Sequence, residues 1–135
     1  MLSGQLAIVA AALFTGAALY VSVVEQPARL LLGDQPLLTE WKTSYKRGAL
    51  MQAPLALVGF LLGLLAWWQT GNWMWITGAL LMLANWPCTL LVIKPVNDRL
   101  MATETAGSET RTMIVRWGSL HALRTAFGAA ATVAL

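Results

Sequence analysis

The sequence predicts an all-α fold: a polytopic membrane protein whose single domain, residues 1–135, is an antiparallel bundle of four transmembrane helices with a short cytoplasmic interfacial helix. Of its residues 58% are hydrophobic and 11% are charged, whereas about a quarter are charged in soluble domains. The apolar residues fall into blocks, each close to the ~20 residues that cross a bilayer. These blocks are Gln5–Val24, Leu50–Gln69, Trp73–Ile93 and Met113–Leu135, which predict spans at about 5–25, 49–69, 73–94 and 112–135.

The first block is interpreted as a retained span rather than a secretory signal. No basic residue precedes it, and its apolar run is longer than the apolar core of most signals. Small residues at Ala10–Ala12 and Gly16–Ala18 permit close helix approach. Pro27, which lacks a backbone donor, predicts a kink with a carbonyl free for a ligand. If the helix continues past this proline, Glu25 and Arg29 lie one turn apart.

The second block is preceded by a short amphipathic segment. Residues Leu37–Arg47 are expected to form a short helix at the cytoplasmic surface, with Trp41 and Tyr45 in i, i+4 register on its membrane-facing side. In the span itself, Gly59 and Gly63 form a small-xxx-small pair that favours close packing on another helix. Helices with faces of small residues, joined by short connections, predict an antiparallel bundle.

The distribution of charge predicts how the bundle is oriented. The hairpin between the second and third spans, residues 70–72, carries no charge. The charged residues other than Arg124 fall in or beside Glu25–Arg47 and Lys94–Arg116, and the positive-inside rule places these loops in the cytoplasm. Both termini then lie on the non-cytoplasmic side of an inner or plasma membrane. An aromatic belt flanks the opposite interface and agrees with this orientation: Trp67, Trp68, Trp73 and Trp75.

The last span carries ionisable side chains where lipid is expected. If the span ends at the far surface, Arg124 lies near mid-depth, because the residues after it form roughly 16 Å of helix. An ionisable side chain at that depth is expected to face a partner, water or a ligand. One helix face, predicted to look into the bundle, carries a stripe at helical spacing. This stripe is Trp117, His121, Arg124 and Gly128.

Polar residues from all four spans cluster in the cytoplasmic half, which predicts a site open to the cytoplasm or the inner leaflet. They include Glu25, Arg29, Arg47, Gln52, Asn85, Lys94, Asn97, Arg116, Trp117, His121 and Arg124. No group of these residues has metal-ligand spacing, so no protein-bound metal is predicted. Cys88, the single cysteine, is interpreted as a small packing residue.

Structural roles stay open beside functional ones. Glu25 fits a buried ion pair with Arg29, Arg116 or Arg124, and His121 alone fits a satisfied core histidine. Asn85 fits a hydrogen bond across helices or to the carbonyl freed by Pro87. Three arginines fit interface anchors whose side chains extend to lipid headgroups: Arg29, Arg47 and Arg116.

Four stretches of the chain resemble one known family. They are FTGAALYVSVVEQPARL, WKTSYKRGALMQAPLAL, NWPCTLLVIKPVNDRL and RWGSLHALRTAFG, and they are similar to the small four-helix membrane proteins grouped as the DUF1772 or anthrone-oxygenase-like family. The resemblance runs over nearly the whole chain. Its most specific parts are PVN followed by RL, and RWG with His121 and Arg124. Fungal relatives are implicated in oxidising anthrones to anthraquinones without a bound cofactor.

The resemblance implies an oxidoreductase that acts on a flat, apolar, phenolic or ketonic substrate from the bilayer, with O₂ as co-substrate and no cofactor. His121 would act as the base, and Arg124 with Arg116 or Arg29 would stabilise the developing oxyanion. The expected catalytic residues are therefore His121, Arg124 and Arg116. The expected substrate-binding residues, with Trp86 and Trp117 as aromatic walls, are Glu25, Arg29, Tyr45, Arg47, Gln52, Asn85, Trp86, Asn97 and Trp117.

Two other functions stay open. A binding or accessory membrane protein would hold an anionic lipid headgroup, a quinone or a partner helix in the same cationic half-cavity. A small transporter is less favoured, because no inverted repeat is visible and four short spans would need to dimerise to form a pathway. The expected partners are the lipid bilayer and a small apolar aromatic ligand, quinone or lipid. A homo-oligomer is compatible with the sequence, and no nucleic acid partner is expected.

Overall fold

The protein forms a bundle of long helices. The computed structural model describes residues 2–135, and the regular elements in this range are all helical. The helices are α1 (Leu2–Arg29), α2 (Asp34–Thr70), α3 (Trp73–Ala102) and α4 (Ser108–Ala134). Each of α1 and α3 packs against both α2 and α4. Because the connections are short, consecutive helices run antiparallel, and the all-α prediction is confirmed.

Three of the helices are compatible with insertion in a membrane. Helices α1, α2 and α3 are long and apolar enough to cross a bilayer, and 28–33% of the most apolar window of each is buried inside the bundle. Their outward faces carry large apolar side chains; Leu13, Leu61 and Leu91 are 57%, 52% and 77% exposed. Helix α4 does not meet the same criterion, because charged and polar side chains interrupt it. Its crossing of the membrane, and hence the fourth span, stays a prediction.

The expected short interfacial helix is not a separate element. Residues Leu37–Arg47 form the first part of α2, which continues for 37 residues and passes through Pro54. Nor does Trp41 face the membrane as predicted, since its side chain is fully buried. The expectation was wrong because the apolar side of this segment packs inside the bundle, in one buried cluster with Leu100 of α3 and Ile114 of α4. The Trp41 ring meets the Trp117 ring edge-on there, at 5.8 Å between centroids.

Two helices contain the same local break. In α1 the turn Val21–Glu25 is π-helical, and Pro27 lies two residues after it. In α3 the turn Thr89–Ile93 is π-helical, and Pro95 lies at the same distance. A proline removes the donor that the carbonyl four residues earlier needs, and the wider turn absorbs this mismatch. Both helices therefore continue past their proline.

Glycines set the close contacts between helices. A Cβ atom at Gly59 would lie 3.1 Å from Cε of Met82, and one at Gly63 would lie 3.0 Å from Cβ of Ala79. Both positions are therefore contacts of α2 with α3, as the small-xxx-small pair predicts. At Gly128 of α4 a Cβ atom would lie 2.7 Å from a side-chain oxygen of α1. These glycines fix how near the helices approach.

The connections at residues 30–33 and 103–107 lie at the same end of the bundle, which we call the loop end. Arg111 of α4 joins them, because Nε binds Oδ1 of Asp34 at 2.7 Å and Nη1 donates to the Leu30 carbonyl at 2.9 Å. Gln35 of α2 donates to the Glu104 carbonyl and accepts from the Ala106 amide, at 3.1 Å and 2.9 Å. This network ties the starts of α2 and α4 together over the polar half of the bundle.

Candidate functional site

A small cavity lies inside the bundle, between its middle and the loop end. All four helices contribute to its wall, and its volume is about 20 Å³. Its lining includes Val21, Ser44, Tyr45, Gly48, Gln52, Asn97, Trp117, His121 and Arg124. The predicted orientation of the α4 stripe is confirmed, since Trp117 and His121 are 5% and 3% exposed and both line this central cavity.

His121 is held by stacking rather than by hydrogen bonds. Its ring lies on the Trp117 ring, with centroids 4.9 Å apart and planes 19° from parallel. Neither Nδ1 nor Nε2 makes a hydrogen bond of normal geometry, although the backbone of Ala18 lies beside the ring. Buried polar atoms in folded proteins are nearly always partnered. Apart from this approach to the Ala18 backbone, the imidazole nitrogens are available to exchange a proton with a bound molecule.

Arg124 is a cation without a counter-charge. Its Cζ atom lies 5.5 Å from the centre of the Phe14 ring, and its buried Nε has no acceptor. Across residues 2–135, no carboxylate lies within ion-pair distance of it. Stacking on an aromatic face compensates only part of the cost of burying a guanidinium. An anionic or electron-rich oxygen in the cavity would complete its environment.

Two carboxylates, those of Glu25 and Glu40, pair with Arg29 instead. This side chain is buried, and it binds Glu25 at 3.0 Å and Glu40 at 2.9 Å. It also donates to Oγ of Ser44 at 3.1 Å, and Ser44 donates to Glu25. The predicted Glu25–Arg29 contact is thus present because α1 continues past Pro27. Arg29 is already neutralised, which leaves Arg124 as the unpaired cation of the cavity wall.

A second hollow, the side chamber, lies next to the central cavity and between α2, α3 and α4. Its volume is about 100 Å³. It is lined by Tyr45, Ala49, Ala53, Ala56, Asn85, Trp86, Thr89, Leu90 and Arg124. Tyr45, Ala49 and Arg124 line both spaces, so these three side chains form the partition between them.

The remaining predicted site residues divide into two groups. Gln52 and Asn97 are each 2% exposed, line the central cavity, and have a side-chain carbonyl oxygen without a partner. Asn97 lies two residues after Pro95, as Arg29 lies two residues after Pro27. Arg47 and Arg116 point outward and are exposed, so the structure does not bring them to the cavity. For both, the interface-anchor interpretation fits this placement.

Sequence reasoning missed Glu40, and it placed Trp41 on the membrane-facing side of a surface helix instead of beside the site. Glu40 lies one turn before Ser44 on α2, but only the fold shows that α1 brings Arg29 against both. Trp41 carried a clearer signal, because Trp41-x₃-Tyr45 repeats the spacing of Trp117-x₃-His121. Each tryptophan stacks on its partner ring, at 5.1 Å and 4.9 Å between centroids. Within residues 2–135, no three His, Cys, Asp or Glu side chains form a group that could hold a metal ion.

Comparison with known proteins identifies one family. A family model described as anthrone oxygenase matches residues 41–134. The matched range begins at Trp41 in α2 and contains all of α3 and α4, so it includes Tyr45, His121 and Arg124. Neither the curated proteins nor the solved structures give a significant match to the chain.

Proposed function

Because the chain belongs to the anthrone oxygenase family, we propose that it is an integral membrane oxidoreductase that oxidises a flat, apolar, phenolic or ketonic substrate with O₂. The single observation that carries this proposal is the placement of His121 and Arg124. They lie one turn apart on α4, both line the central cavity, and both hold buried nitrogen atoms without a partner. A base beside an uncompensated cation is what deprotonation of a carbon conjugated with a carbonyl requires.

The first step is proton transfer to His121. In an anthrone-like substrate, the CH₂ group opposite the carbonyl is acidic, because the negative charge that forms spreads through both rings to the carbonyl oxygen. His121 accepts this proton, and Arg124 stabilises the charge on the oxygen. In a water-poor cavity such a charge interaction is stronger than in water. The neutralised cluster around Arg29 favours this arrangement, since it keeps carboxylates away from the cation.

The second step is oxidation of the carbanion by O₂. One electron passes from the carbanion to O₂, and the resulting radical pair combines to form a C–O bond. The peroxide then takes back the proton that His121 holds. Loss of water from the resulting hydroperoxide leaves a second carbonyl. The balance is CH₂ + O₂ → C=O + H₂O; four electrons leave the carbon and reduce O₂, and no cofactor is consumed.

The size of the site limits how a substrate binds. The central cavity measures about 20 Å³ and the side chamber about 100 Å³, and neither space alone is large enough for three fused rings. A three-ring substrate therefore needs both spaces, with displacement of the partition at Tyr45 and Ala49. The substrate reaches the site from the membrane, which we take to be an inner or plasma membrane with both termini outside.

The proposal is tested by anthrone-dependent O₂ uptake of the protein in lipid nanodiscs, after subtraction of spontaneous oxidation. We expect His121→Ala to lower the rate roughly 10²–10⁴-fold and Arg124→Gln to lower it roughly 10²–10³-fold. The matched control is Arg99→Gln, which removes an exposed arginine outside both spaces and should leave the rate unchanged. Unchanged turnover in both site variants would remove this mechanism.

A second candidate function is favoured by the small cavity volume and the unpaired cation. In this case the protein binds a ligand without turnover, and Arg124 holds an anionic headgroup or a quinone oxygen. This function predicts a ligand that copurifies with the protein and is lost in Arg124→Gln. Native mass spectrometry of gently extracted protein separates the two candidates, because it reports bound ligand and oligomeric state together.

A further inference from the structure

Helix α2 changes character along the face that it turns to α3. Nearer the hairpin, Gly59 and Gly63 are in close contact with α3. Nearer the loop end, Ala49, Ala53 and Ala56 recur at helical spacing on the wall of the side chamber. Here the small residues leave about 100 Å³ unfilled by side chains. Helix packing therefore does not account for this stretch of small residues.

Three residues that line this space hold buried polar atoms without partners. Asn85 is 1% exposed, and its Nδ2 donates to the Met82 carbonyl at 3.1 Å. This bond fixes the amide orientation, because only the NH₂ group can donate to a carbonyl. Its Oδ1, the Thr89 hydroxyl and Nε of Arg124 are all buried without a partner. The residues of the chamber wall thus hold an unpartnered acceptor on α3 and an unpartnered charged donor on α4.

The outer wall of the chamber is part of the apolar surface of α3. Trp86 and Leu90 line the chamber, and they are also 39% and 52% exposed on the outside of the bundle. Neither carries a charge, and α3 is one of the helices apolar enough to cross a membrane. A molecule dissolved in lipid therefore meets this wall without crossing a polar surface.

We propose that the side chamber binds one hydroxylated aromatic ring, which enters from the lipid between α2 and α3. The hydroxyl hydrogen is donated to Oδ1 of Asn85, and the hydroxyl oxygen accepts from the Arg124 guanidinium and from the Thr89 hydroxyl. The Trp86 indole forms an aromatic side of the space. This inference rests on the proposed function for the role of Arg124, and it adds that the chamber selects substrates for a ring hydroxyl group.

The donor and acceptor pattern argues for a hydroxyl group over other ligands. An apolar ring or an acyl chain would leave the atoms of Asn85, Thr89 and Arg124 without partners. An anionic headgroup would satisfy Arg124, but it would lie against the Asn85 carbonyl oxygen, which repels it. A hydroxyl group both donates and accepts, so it completes both sides at once.

Binding of small fluorinated probes tests this directly. The probes are 4-fluorophenol and 4-fluorotoluene, which differ by a hydroxyl against a methyl group, and empty nanodiscs correct for partition into lipid. Fluorine NMR should show that the wild-type protein binds 4-fluorophenol at least tenfold more tightly than 4-fluorotoluene. Asn85→Leu should abolish that preference. Thr89→Val, which keeps the side-chain shape, should reduce it, and this variant decides the question if Asn85→Leu does not fold.

A filled chamber provides the location test. Ala53→Phe should abolish binding of both probes, whereas the matched control Ala122→Phe, on the exposed surface of α4, should leave it unchanged. Equal affinity of the wild type for both probes, or unchanged binding in Ala53→Phe, would overturn the proposal. Neither probe has an acidic CH₂ group to oxidise, so the result is independent of turnover. If the protein binds 4-fluorophenol selectively but shows no anthrone-dependent O₂ uptake, the proposed function is refuted and the assignment of the side chamber still holds.

Discussion

The rings of Trp41 and Trp117 meet edge to face, with centroids 5.8 Å apart and planes at 86°. Each tryptophan also stacks on a second ring one turn further along its helix, Tyr45 on α2 and His121 on α4. Four rings from two helices thus form one continuous aromatic cluster. Tyr45, Trp117 and His121 of this cluster line the central cavity, and stacking on the Trp117 ring sets the plane of the His121 imidazole.

The first prediction concerns this aromatic cluster. Trp41→Ala should lower the free energy of unfolding by about 3–5 kcal/mol, because it removes a fully buried indole and leaves a cavity. Reversible unfolding in mixed micelles measures the change. The control is Trp68→Ala, since Trp68 is 80% exposed and its loss should change stability by less than about 1 kcal/mol. Equal effects of the two substitutions would show that the cluster does not stabilise the bundle.

The second prediction concerns the charges around Arg29. Arg29→Met should destabilise the protein by about 3–5 kcal/mol, because two carboxylates are left beside each other without their cation. Adding Glu25→Gln and Glu40→Gln to this variant should recover most of the loss, since the repulsion disappears with the charges. The same unfolding assay compares the single and triple variants. A triple variant no more stable than the single one would contradict the ion-pair explanation.

The third prediction contrasts two glycines. A methyl group at Gly128 would lie 2.7 Å from Oγ1 of Thr15 and 2.8 Å from Cδ1 of Phe14, whereas nothing lies within 4 Å of one at Gly16. Gly128→Ala should therefore destabilise the bundle by about 1–3 kcal/mol, and Gly16→Ala should stabilise it by up to about 1 kcal/mol. Gly128→Ala should also lower O₂ uptake, because the Phe14 ring lies against Arg124. Stabilisation by both substitutions would argue against close packing of α4 on α1.

Part of this arrangement was predictable because helical periodicity identifies faces. Spacing alone placed His121 and Arg124 on one stripe with Gly128, and the structure confirms that this stripe faces the interior. The Glu25–Arg29 contact was predictable only on the condition that α1 passes Pro27. The π-helical turn before Pro27 allows α1 to continue. The presence of a proline in the sequence does not by itself predict such a turn.

Other features depend on contacts that no local pattern encodes. The interfacial helix was placed at the membrane surface because Leu37–Arg47 is amphipathic, yet its apolar side packs against α3 and α4 inside the bundle. Arg116 was expected near the substrate, but it precedes Trp117 by one position and therefore faces outward when Trp117 is buried. Glu40 was missed because its partner Arg29 is on another helix. Periodicity gives the face of a residue, and only packing gives its partner.

Chemical rescue of His121→Ala tests most directly whether His121 is the base. It is measured as anthrone-dependent O₂ uptake with and without added imidazole. If His121 is the base beside Arg124, the variant should lose roughly 10²–10⁴-fold in rate. Imidazole should restore part of that rate in a concentration-dependent way, but not in the His121→Ala/Arg124→Gln double variant. If the His121→Ala protein turns over as fast as the wild type without imidazole, His121 is not the base.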